Sequence, residues 1–426
     1  MKISMFTNTY LPHVGGVARS VSTFADELRN RGHRVQVIAP TFADTPAEDD
    51  KTVVRVPAIQ HFNGSDFSVR IPLPGIISEA LSDFAPDIIH SHHPFLLGDA
   101  ALRLARTMEL PLVFTHHTLY EQYTHYVPLD SPALKRFVIE LATGYANLCN
   151  RVVAPSSSVK DLLLKRGVKS TITVLATGID IDLFSRGYGR RCRQRHGISD
   201  QTIIIGHVGR LAREKNLPYL AKAVATVVQQ REGVCFLVVG SGDAEQEIKT
   251  IFNERGCVER LVMAGRLTGE QLADAYAAMD LFAFASRSET QGLVLAEAMA
   301  ASTPVVALKA SGVEDVVRHH VNGLVLGADS SSDAFAGALS ALLDDSDQLA
   351  SLRRAARTTA PQFSKESCTD RLVDLYRETI GNGHRPHHTD RDFFDSVRLA
   401  IRAEWELFQE KTKAALTSLV ESEDQA

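Results

Sequence analysis

Two glutamates, Glu289 and Glu297, stand on either side of a glycine in the segment SETQGLVLAEAMA. Thr290 to Leu293 are predicted to form a turn at the end of a strand, and helix-forming residues follow. Backbone N–H groups at a helix start can hold phosphate oxygens, and carboxylates accept hydrogen bonds from hydroxyl groups. The segment therefore suits a ligand that carries phosphate and sugar hydroxyls. The structural alternative is an acid that stabilises the helix dipole, followed by a surface-exposed Glu297.

Two cations form a second candidate cluster in GRLAREKN, which runs from Gly209 to Asn216. Arg210 and Lys215 follow a predicted strand, beside a glycine that lets a ligand approach the backbone. This pattern fits a diphosphate, and an ordinary solvated basic loop fits it equally well. The segment GSGD, Gly240–Asp243, lacks the third glycine of GxGxxG, so a tight turn explains it as well as a nucleotide loop does.

The N-terminal half carries two further candidates. GGV, Gly15–Val17, either lets the backbone approach a ligand or is a simple loop. FTHHTLYEQYTHY ends a strand in paired histidines and continues as a polar, aromatic loop, and a metal site is disfavoured there because the HExxH pattern is missing. Its polar residues are His116, His117, Glu121, Tyr123, His125 and Tyr126. His92 and His93 of HSHHPF are predicted to pack at a strand end or to line a cleft.

The elements that must position these residues alternate between strands and helices. KISMFTN, RVQVIAP, PDIIHSHHP and LPLVFTHHT are predicted strands of one set, and TIIIGHVGRL, VCFLVVGSGD and DLFAFASRSE belong to a second set. This alternation predicts βαβ units around parallel sheets that are buried on both faces. Ligands of such sheets bind at the carboxyl ends of the strands, and each polar cluster lies at such an end.

The sequence thus predicts an α/β protein with two Rossmann-like domains in tandem. The polar, basic stretch GYGRRCRQRHGISDQ separates them, which places the boundary at about residues 185–200. The predicted segments are an N-terminal domain at 1–190, a C-terminal domain at 200–362, an amphipathic helix at 363–380 and a charged helical tail at 391–426.

Composition narrows the function classes. The chain has 426 residues and a net charge of −5, which gives no case for nucleic-acid binding. Five scattered cysteines without a CxxC pair argue against a disulfide framework or a zinc site, and for a reducing compartment. The N-terminus lacks a signal pattern, and no apolar run reaches membrane-spanning length. We therefore expect a cytoplasmic protein, with peripheral attachment to the inner face of the membrane left open.

Taken together, these motifs resemble those of the retaining GT-B glycosyltransferases, a large family that includes sucrose synthases, bacterial lipid glycosyltransferases and phosphatidylinositol mannosyltransferases. The resemblance covers about Lys2–Ile380. It rests on Glu289 and Glu297 as a Glu-x7-Glu motif, with GRLAREKN and GGVARSV in the expected order. It implies two Rossmann-like domains that face a cleft, with Phe363–Ile380 as a helix that crosses back to the first domain and the tail as a C-terminal helical extension.

The resemblance also implies roles for individual residues. Arg210 and Lys215 would grip the diphosphate of a nucleotide sugar. Glu289 would contact the hydroxyls of the transferred sugar, and Glu297 would contact the ribose. Gly292, Leu293 and Val294 would provide backbone contacts near phosphate and ribose. Arg266 would contact the base, Gly16 would face the diphosphate from the first domain, and His117 would lie at the reacting centre. No metal or other cofactor is implied. Neither glutamate is the base, because the leaving phosphate takes the acceptor's proton on the same face, unlike in the two-carboxylate glycosidases.

The acceptor follows from a narrower resemblance. HSHHPFLLGDAALRLAR and THHTLYEQYTHYVP look most like the branch that glucosylates diacylglycerol, which implies transfer of glucose from UDP-glucose in glycolipid biosynthesis at a membrane surface. Phe62–Ile76 and Ser131–Arg151 are the candidate membrane-contacting stretches, although the second has few cations, among them Lys135 and Arg136. A soluble sugar, polyol or polysaccharide acceptor stays open, and so does GDP-mannose as donor.

Other classes of protein fit less well. A nicotinamide dehydrogenase would need GxGxxG. A hydrolysing sugar-nucleotide epimerase shares the two-domain shape but leaves the Glu-x7-Glu motif and GRLAREKN unexplained. A non-catalytic sugar-nucleotide sensor would be expected to have lost part of the set Arg210, Lys215, Glu289 and Glu297. The tail is a candidate for contacts that form an oligomer.

Overall fold

The computed structural model describes residues 1–12, 15–41, 52–59, 69–70, 74–122, 131–287, 289–382 and 410. They form two compact units: Met1–Thr177 together with the segment that begins at Cys368, and Gly178–Ser367. Several predictions fall outside the described residues: the tail at 391–426 except Glu410, most of the Phe62–Ile76 stretch, and Tyr123, His125 and Tyr126 of the histidine-rich loop.

The first unit contains a parallel sheet of seven strands. Those strands are β1 (Lys2–Phe6), β2 (Arg34–Pro40), β3 (Val53–Val56), β6 (Ile88–Ser91), β7 (Leu112–Thr115), β8 (Arg151–Ala154) and β9 (Ile172–Val174), and β4 (Ala58–Ile59) and β5 (Val69–Arg70) form a separate antiparallel pair. The order in the sheet is β3-β2-β1-β6-β7-β8-β9. β2 coincides with the predicted strand RVQVIAP.

Apolar side chains fill both faces of this sheet, which is why its strands are almost wholly apolar. One face buries Phe6 and Phe114, and the other buries Met5 and Val113. The helices of this unit are α1 (Gly16–Asn30), α2 (Pro74–Phe84), α3 (Leu97–Thr107), α4 (Pro132–Asn147), α5 (Ser157–Lys165) and the C-terminal α14 (Lys365–Asn382), whose first residues precede the unit boundary.

The helix α14 lies close to the predicted range 363–380. Phe363 belongs instead to a short 3-10 turn, Ala360–Phe363, and the helix begins at Lys365. The reason is a cap: the hydroxyl of Ser364 accepts a hydrogen bond from the backbone N–H of Ser367 at 3.0 Å. Further along, Tyr376 is fully buried in the core of the first unit.

The second unit contains a parallel sheet of six strands in the order β12-β11-β10-β13-β14-β15. Its strands are β10 (Ile203–Val208), β11 (Val234–Val239), β12 (Leu261–Gly265), β13 (Leu281–Phe284), β14 (Val305–Leu308) and β15 (Gly323–Leu326). Its helices are α6 (Ile181–Ser185), α7 (Gly189–His196), α8 (Leu217–Gln230), α9 (Glu245–Glu254), α10 (Gly269–Ala278), α11 (Leu293–Ala300), α12 (Ser332–Asp344) and α13 (Ser346–Thr359). The prediction of two Rossmann-like α/β sheets is confirmed.

The polar stretch that was expected to separate the domains is folded into the second unit. It forms α7, whose Arg191 donates to the buried carboxylate of Asp274 in α10 at 2.8 Å. The backbone N–H of Tyr188 donates to the same oxygen, also at 2.8 Å. Because these contacts hold α7 against α10, the unit boundary lies at Thr177 and Gly178, before residues 185–200.

In each sheet, the first strands are added on one side of the sheet's first strand, and the later strands are added on its other side. β1 lies between β2 and β6, and β10 lies between β11 and β13. Loops that leave such a point diverge, and the crevice between them at the carboxyl ends of the strands is where open α/β sheets bind ligands. In the second unit, the loop after β10 carries Lys215 and the loop after β13 carries Glu289.

All five cysteines are buried. None of the helices in the described ranges combines the length and the apolar character that a bilayer span needs.

Candidate active site

Lys215 and Glu289 form an ion pair at the carboxyl edge of the second sheet. The distance from Nζ of Lys215 to Oε1 of Glu289 is 2.5 Å, and the two side chains are 16% and 17% exposed. The hydroxyl of Ser286 donates to the same oxygen at 3.0 Å. β10 and β13 are paired neighbours, so the loops after them meet. The alternative of a solvated loop is therefore wrong for Lys215, which is largely enclosed.

Arg210 lies in the same loop and has a different environment. Its side chain is 49% exposed and pairs with Glu214, whose side chain is 8% exposed. Only the arginine side of this ion pair is exposed, because the carboxylate of Glu214 is nearly buried. Both predicted diphosphate cations lie on one loop with a carboxylate beside each.

The glycine turn between the two glutamates has the backbone geometry that glycine favours. Gly292 has φ +70° and immediately precedes α11. Gly312, with φ +74°, approaches so closely that a Cβ there would lie 2.7 Å from the backbone nitrogen of Gln291. Leu293 and Val294 are the first two residues of α11, so their N–H groups stand at a helix start, as predicted.

Glu297 lies in the interior of the second unit. Its side chain is fully buried, and the hydroxyl of Tyr276 donates to Oε2 at 2.8 Å. The alternative of a surface-exposed Glu297 is wrong, because α10 covers this face of α11 through Tyr276. The ribose-binding role of Glu297 stays a prediction, and a ribose could reach the carboxylate only if this enclosure opened.

Arg266 follows β12 and connects to the GSGD segment. Its Nε donates to Oγ of Ser241 at 2.7 Å. The glycines on either side of that serine have positive φ, and a Cβ on Gly240 would collide with the carbonyl oxygen of Gly209. GSGD is therefore packed against the GRLAREKN loop, and Arg266 lies beside it with an exposed side chain.

Gly16 is the first residue of α1, at the carboxyl end of β1 in the first unit. Within the described residues, a Cβ on Gly16 would meet no atom within 4 Å. The preceding Gly15 has φ −161°, which is extended backbone open to any residue. Local geometry thus does not require glycine at either position, and the space beside Gly16 is compatible with its predicted contact to a ligand.

Histidines that follow β6 and β7 meet at the carboxyl edge of the first sheet. Nδ1 of His92 lies 2.9 Å from Nε2 of His117, and the two rings stack at a centroid distance of 5.2 Å. His92 is fully buried and His117 is half-buried. His93 accepts a hydrogen bond from the backbone N–H of Asn8 through Nδ1 at 3.1 Å, so it packs at the strand end as predicted.

Burial keeps these histidines neutral. It lowers the pKa of His90 and of His93 to about 3, and that of His116 to about 4. Burial, followed by the charges of neighbouring histidines, holds the pKa of His92 and of His117 well below the ordinary 6.5. A neutral imidazole offers one donor and one acceptor, so the contact between His92 and His117 requires a proton on one of the two facing nitrogens.

The described part of the histidine-rich loop contains an ion pair. Glu121 accepts from Arg166 at 2.6 Å, and both side chains are largely buried. Throughout the described ranges, no group of three or more His, Cys, Asp or Glu side chains is arranged to hold a metal ion. Independence from metal remains a prediction.

Sequence reasoning missed three residues of these sites: Tyr276, Ser286 and His207. Tyr276 lies on a helix far from Glu297 in sequence, so no local signal links the two. Ser286 occurs in the predicted strand segment DLFAFASRSE but has no distinctive spacing. His207 did leave a signal, because it is a polar residue inside the apolar strand IIIGHV.

The fold and the polar loops at the carboxyl edges of the two sheets agree with the family comparisons. The model of Glycosyltransferase Family 4 matches residues 14–183, and that of Glycosyl transferases group 1 matches residues 190–359. The chain belongs to this family of GT-B glycosyltransferases and is a hexosyltransferase.

Three individual proteins are similar to this chain over most of its length. The chain is 29% identical to the alpha-monoglucosyldiacylglycerol synthase of Streptococcus pneumoniae, over 89% of this chain and 84% of that protein. It is 30% identical to the GDP-mannose-dependent alpha-mannosyltransferase of Corynebacterium glutamicum, over 90% and 91% of the two chains. Its fold is similar to that of Anabaena HepE in complex with UDP and glucose, with a TM-score of 0.69 and 22% identity over 89% of this chain and 100% of HepE.

Proposed function

We propose that this hexosyltransferase retains anomeric configuration and transfers glucose from UDP-glucose to diacylglycerol. The observation that carries the donor chemistry is the ion pair between Lys215 and Glu289 at the carboxyl edge of the second sheet. It combines a cation for a phosphate with a carboxylate for sugar hydroxyls at the place where α/β sheets bind ligands. The similarity to the Streptococcus pneumoniae glucosyldiacylglycerol synthase supports glucose and a lipid acceptor.

The charges at this edge match those of the proposed reaction. When the anomeric C–O bond breaks, negative charge develops on the departing nucleotide diphosphate. Arg210, Lys215 and the N–H groups at the start of α11 would stabilise that charge without a metal. An ammonium has three donors, so Lys215 can donate to a phosphate while it keeps Glu289. The carboxylate of Glu289 has further acceptor sites for sugar hydroxyls.

The same charges indicate where the proton goes. Glu289 already accepts from Lys215 and Ser286, and Glu297 is enclosed with Tyr276. Neither carboxylate is set up as a base that reaches an incoming hydroxyl group. In the proposed reaction the acceptor oxygen therefore gives its proton to the leaving phosphate on the same face of the sugar. The anomeric configuration is then retained.

We place the reaction at the cytoplasmic face of a membrane, because diacylglycerol is a lipid. Helix α4, in the stretch Ser131–Arg151, is the described candidate for membrane contact. Its C-terminal half is buried, including Tyr145, whereas its first half is only half-buried and carries the exposed Lys135. A peripheral contact of this kind would be weak unless a second element reinforced it.

A second candidate has support of its own. The Corynebacterium glutamicum relative is a GDP-mannose-dependent mannosyltransferase and matches slightly more of its own length, 91%, at 30% identity. A GDP-mannose donor would use the same diphosphate cations. The difference would lie in the contacts with the base and with the sugar hydroxyls, for which Arg266 and Glu289 are the predicted residues.

Purified protein incubated with radiolabelled nucleotide sugars tests the proposal. The donors are UDP-glucose, UDP-galactose and GDP-mannose, and the acceptors are diacylglycerol in mixed vesicles and soluble sugars or polyols. We expect labelled glycolipid from UDP-glucose, with an α-linkage by NMR. Mannolipid from GDP-mannose would support the second candidate instead. If no nucleotide sugar is bound or consumed, the donor assignment is wrong.

A further inference from the structure

His207 is a buried histidine in the strand that leads to the GRLAREKN loop. It is 1% exposed, and its Nδ1 lies 3.2 Å from the carbonyl oxygen of Ala283 on β13. A carbonyl oxygen can only accept, so Nδ1 carries the proton. Burial lowers the pKa of His207 to about 4, and the ring is neutral at pH 7. Nε2 therefore holds an unprotonated lone pair.

That lone pair has no hydrogen-bond partner in the described part of the chain. Its open side faces the strand end, because a Cβ on Gly209 would lie 3.4 Å from Nε2. Gly209 cannot supply the missing donor, since its own N–H donates to the carbonyl oxygen of Val239 at 3.0 Å. The rings of Phe282 and Phe284 stack with His207 at centroid distances of 6.2 Å and hold the plane of the imidazole.

Two charged side chains act on this ring from the neighbouring loops. Lys215 lowers the pKa of His207 and Glu289 raises it, so both groups lie within electrostatic reach. Glu289 is an acceptor when ionised and cannot bond to a bare nitrogen. Lys215 carries donors, and one of them is directed to Glu289. Of the two groups, Lys215 alone has the chemistry that Nε2 lacks.

We propose that His207 is a positioning residue for Lys215: its Nε2 accepts a hydrogen bond from the ammonium when the donor diphosphate occupies the site. An ammonium has three donors, and in that state one is directed to the phosphate and one to Glu289. Nε2 of His207 is a neutral acceptor that can take the third, so the ammonium is held in place without a further negative charge that would compete with the phosphate. The inference rests on the proposed donor site.

His207→Phe tests this role, because it keeps a flat ring beside Phe282 and Phe284 but removes the acceptor Nε2. It also removes the Nδ1–H that donates to the carbonyl oxygen of Ala283, so the Tm falls under either role and the affinity for UDP is the readout. Its Kd for UDP, measured by calorimetry, should rise by on the order of 10-fold, since a lost hydrogen bond to a charged group has about that effect. A purely structural histidine would leave the Kd unchanged.

A conservative variant separates loss of the acceptor from loss of shape. His207→Gln can place an amide oxygen close to the position of Nε2, and we expect its Kd for UDP to be within about threefold of the original protein. It also covers the case in which His207→Phe does not fold. A Kd for His207→Gln as weak as that of His207→Phe would contradict the proposal.

A double-mutant cycle identifies the partner. If His207 acts through Lys215, adding His207→Phe to Lys215→Ala should cause no further loss of UDP affinity. A loss of the same size in both backgrounds would mean that His207 contacts the nucleotide itself, and the inference would be wrong. If the unmutated protein binds neither UDP nor GDP, the proposed donor site fails, and this inference with it. UDP binding that is unaffected by His207→Phe overturns this inference alone.

Discussion

Nδ1 of His92 lies 2.9 Å from Nε2 of His117, so one proton on either nitrogen links the two neutral rings. The contact joins the residue after β6 to the loop after β7 and holds the imidazole of His117 in one orientation. His117 is the predicted residue at the reacting centre, whereas His92 is fully buried behind it. The pair therefore consists of an orienting histidine and a partly exposed one.

We expect His92→Phe to lower kcat by on the order of 10-fold, because a misoriented catalytic group costs rate even when it is present. The affinity for UDP should change little, since the contact lies in the first unit. His92→Asn is the matched control, because its side-chain amide can replace Nδ1 and should recover part of kcat. Equal kcat values for His92→Phe and the original protein would show that the contact has no catalytic role.

Lys215→Ala removes the enclosed cation of the donor loop. We expect kcat/KM to fall by at least about 100-fold, because this charge would stabilise the departing diphosphate. Circular dichroism should show an intact fold. Lys222→Ala removes an exposed lysine from α8 and serves as the control, with activity unchanged. Near-normal turnover of Lys215→Ala would contradict the diphosphate role.

Tyr276→Phe removes the hydroxyl that donates to the buried carboxylate of Glu297. A buried charge that loses a partner lowers the free energy of unfolding by about 1–3 kcal/mol. Urea denaturation measures it. Glu297→Gln should cost less, because an amide oxygen still accepts from Tyr276. Tyr219→Phe is the control, since that hydroxyl donates at 2.9 Å to the neutral carbonyl of Ser330 near the surface.

The buried histidines make stability depend on pH. The pKa of His90 and of His93 is about 3 in the folded protein, and that of His116 and of His207 is about 4, against 6.5 for an ordinary histidine. The unfolded chain therefore binds more protons below pH 6.5, and stability must fall as the pH falls. We expect a plateau above about pH 7 and a progressive loss from about pH 6.5 to about pH 3. A free energy of unfolding that is constant between pH 7 and pH 5 would contradict the neutral assignment.

Metal removal provides a fifth test. With positive charge supplied by Arg210, Lys215 and a helix start, transfer should continue in the presence of EDTA. Rates measured before and after dialysis against chelator, with Mg²⁺ added back, check this. A sharp loss that Mg²⁺ restores would show that a divalent ion takes part.

Local sequence determined the elements. β2 coincides with the predicted strand RVQVIAP, because the period of apolar residues acts within a few positions. The glycine turn before α11 was also predictable, since Gly292 has the positive φ that glycine tolerates best. The resemblance carried by these motifs was sufficient to place the chain among the glycosyltransferases.

Only the tertiary structure decided which side chains meet and which are enclosed. Lys215 and Glu289 are 74 residues apart in sequence, and they form an ion pair because the sheet places β10 beside β13. The sequence alone allowed Glu297 to lie at the surface, but in the structure Tyr276 of α10 covers it. Likewise, Nε2 of His207 is unprotonated because Nδ1 donates its proton to the carbonyl oxygen of Ala283 on the neighbouring strand. Burial and hydrogen-bond partners are properties of distant segments in contact, and a local pattern does not contain them.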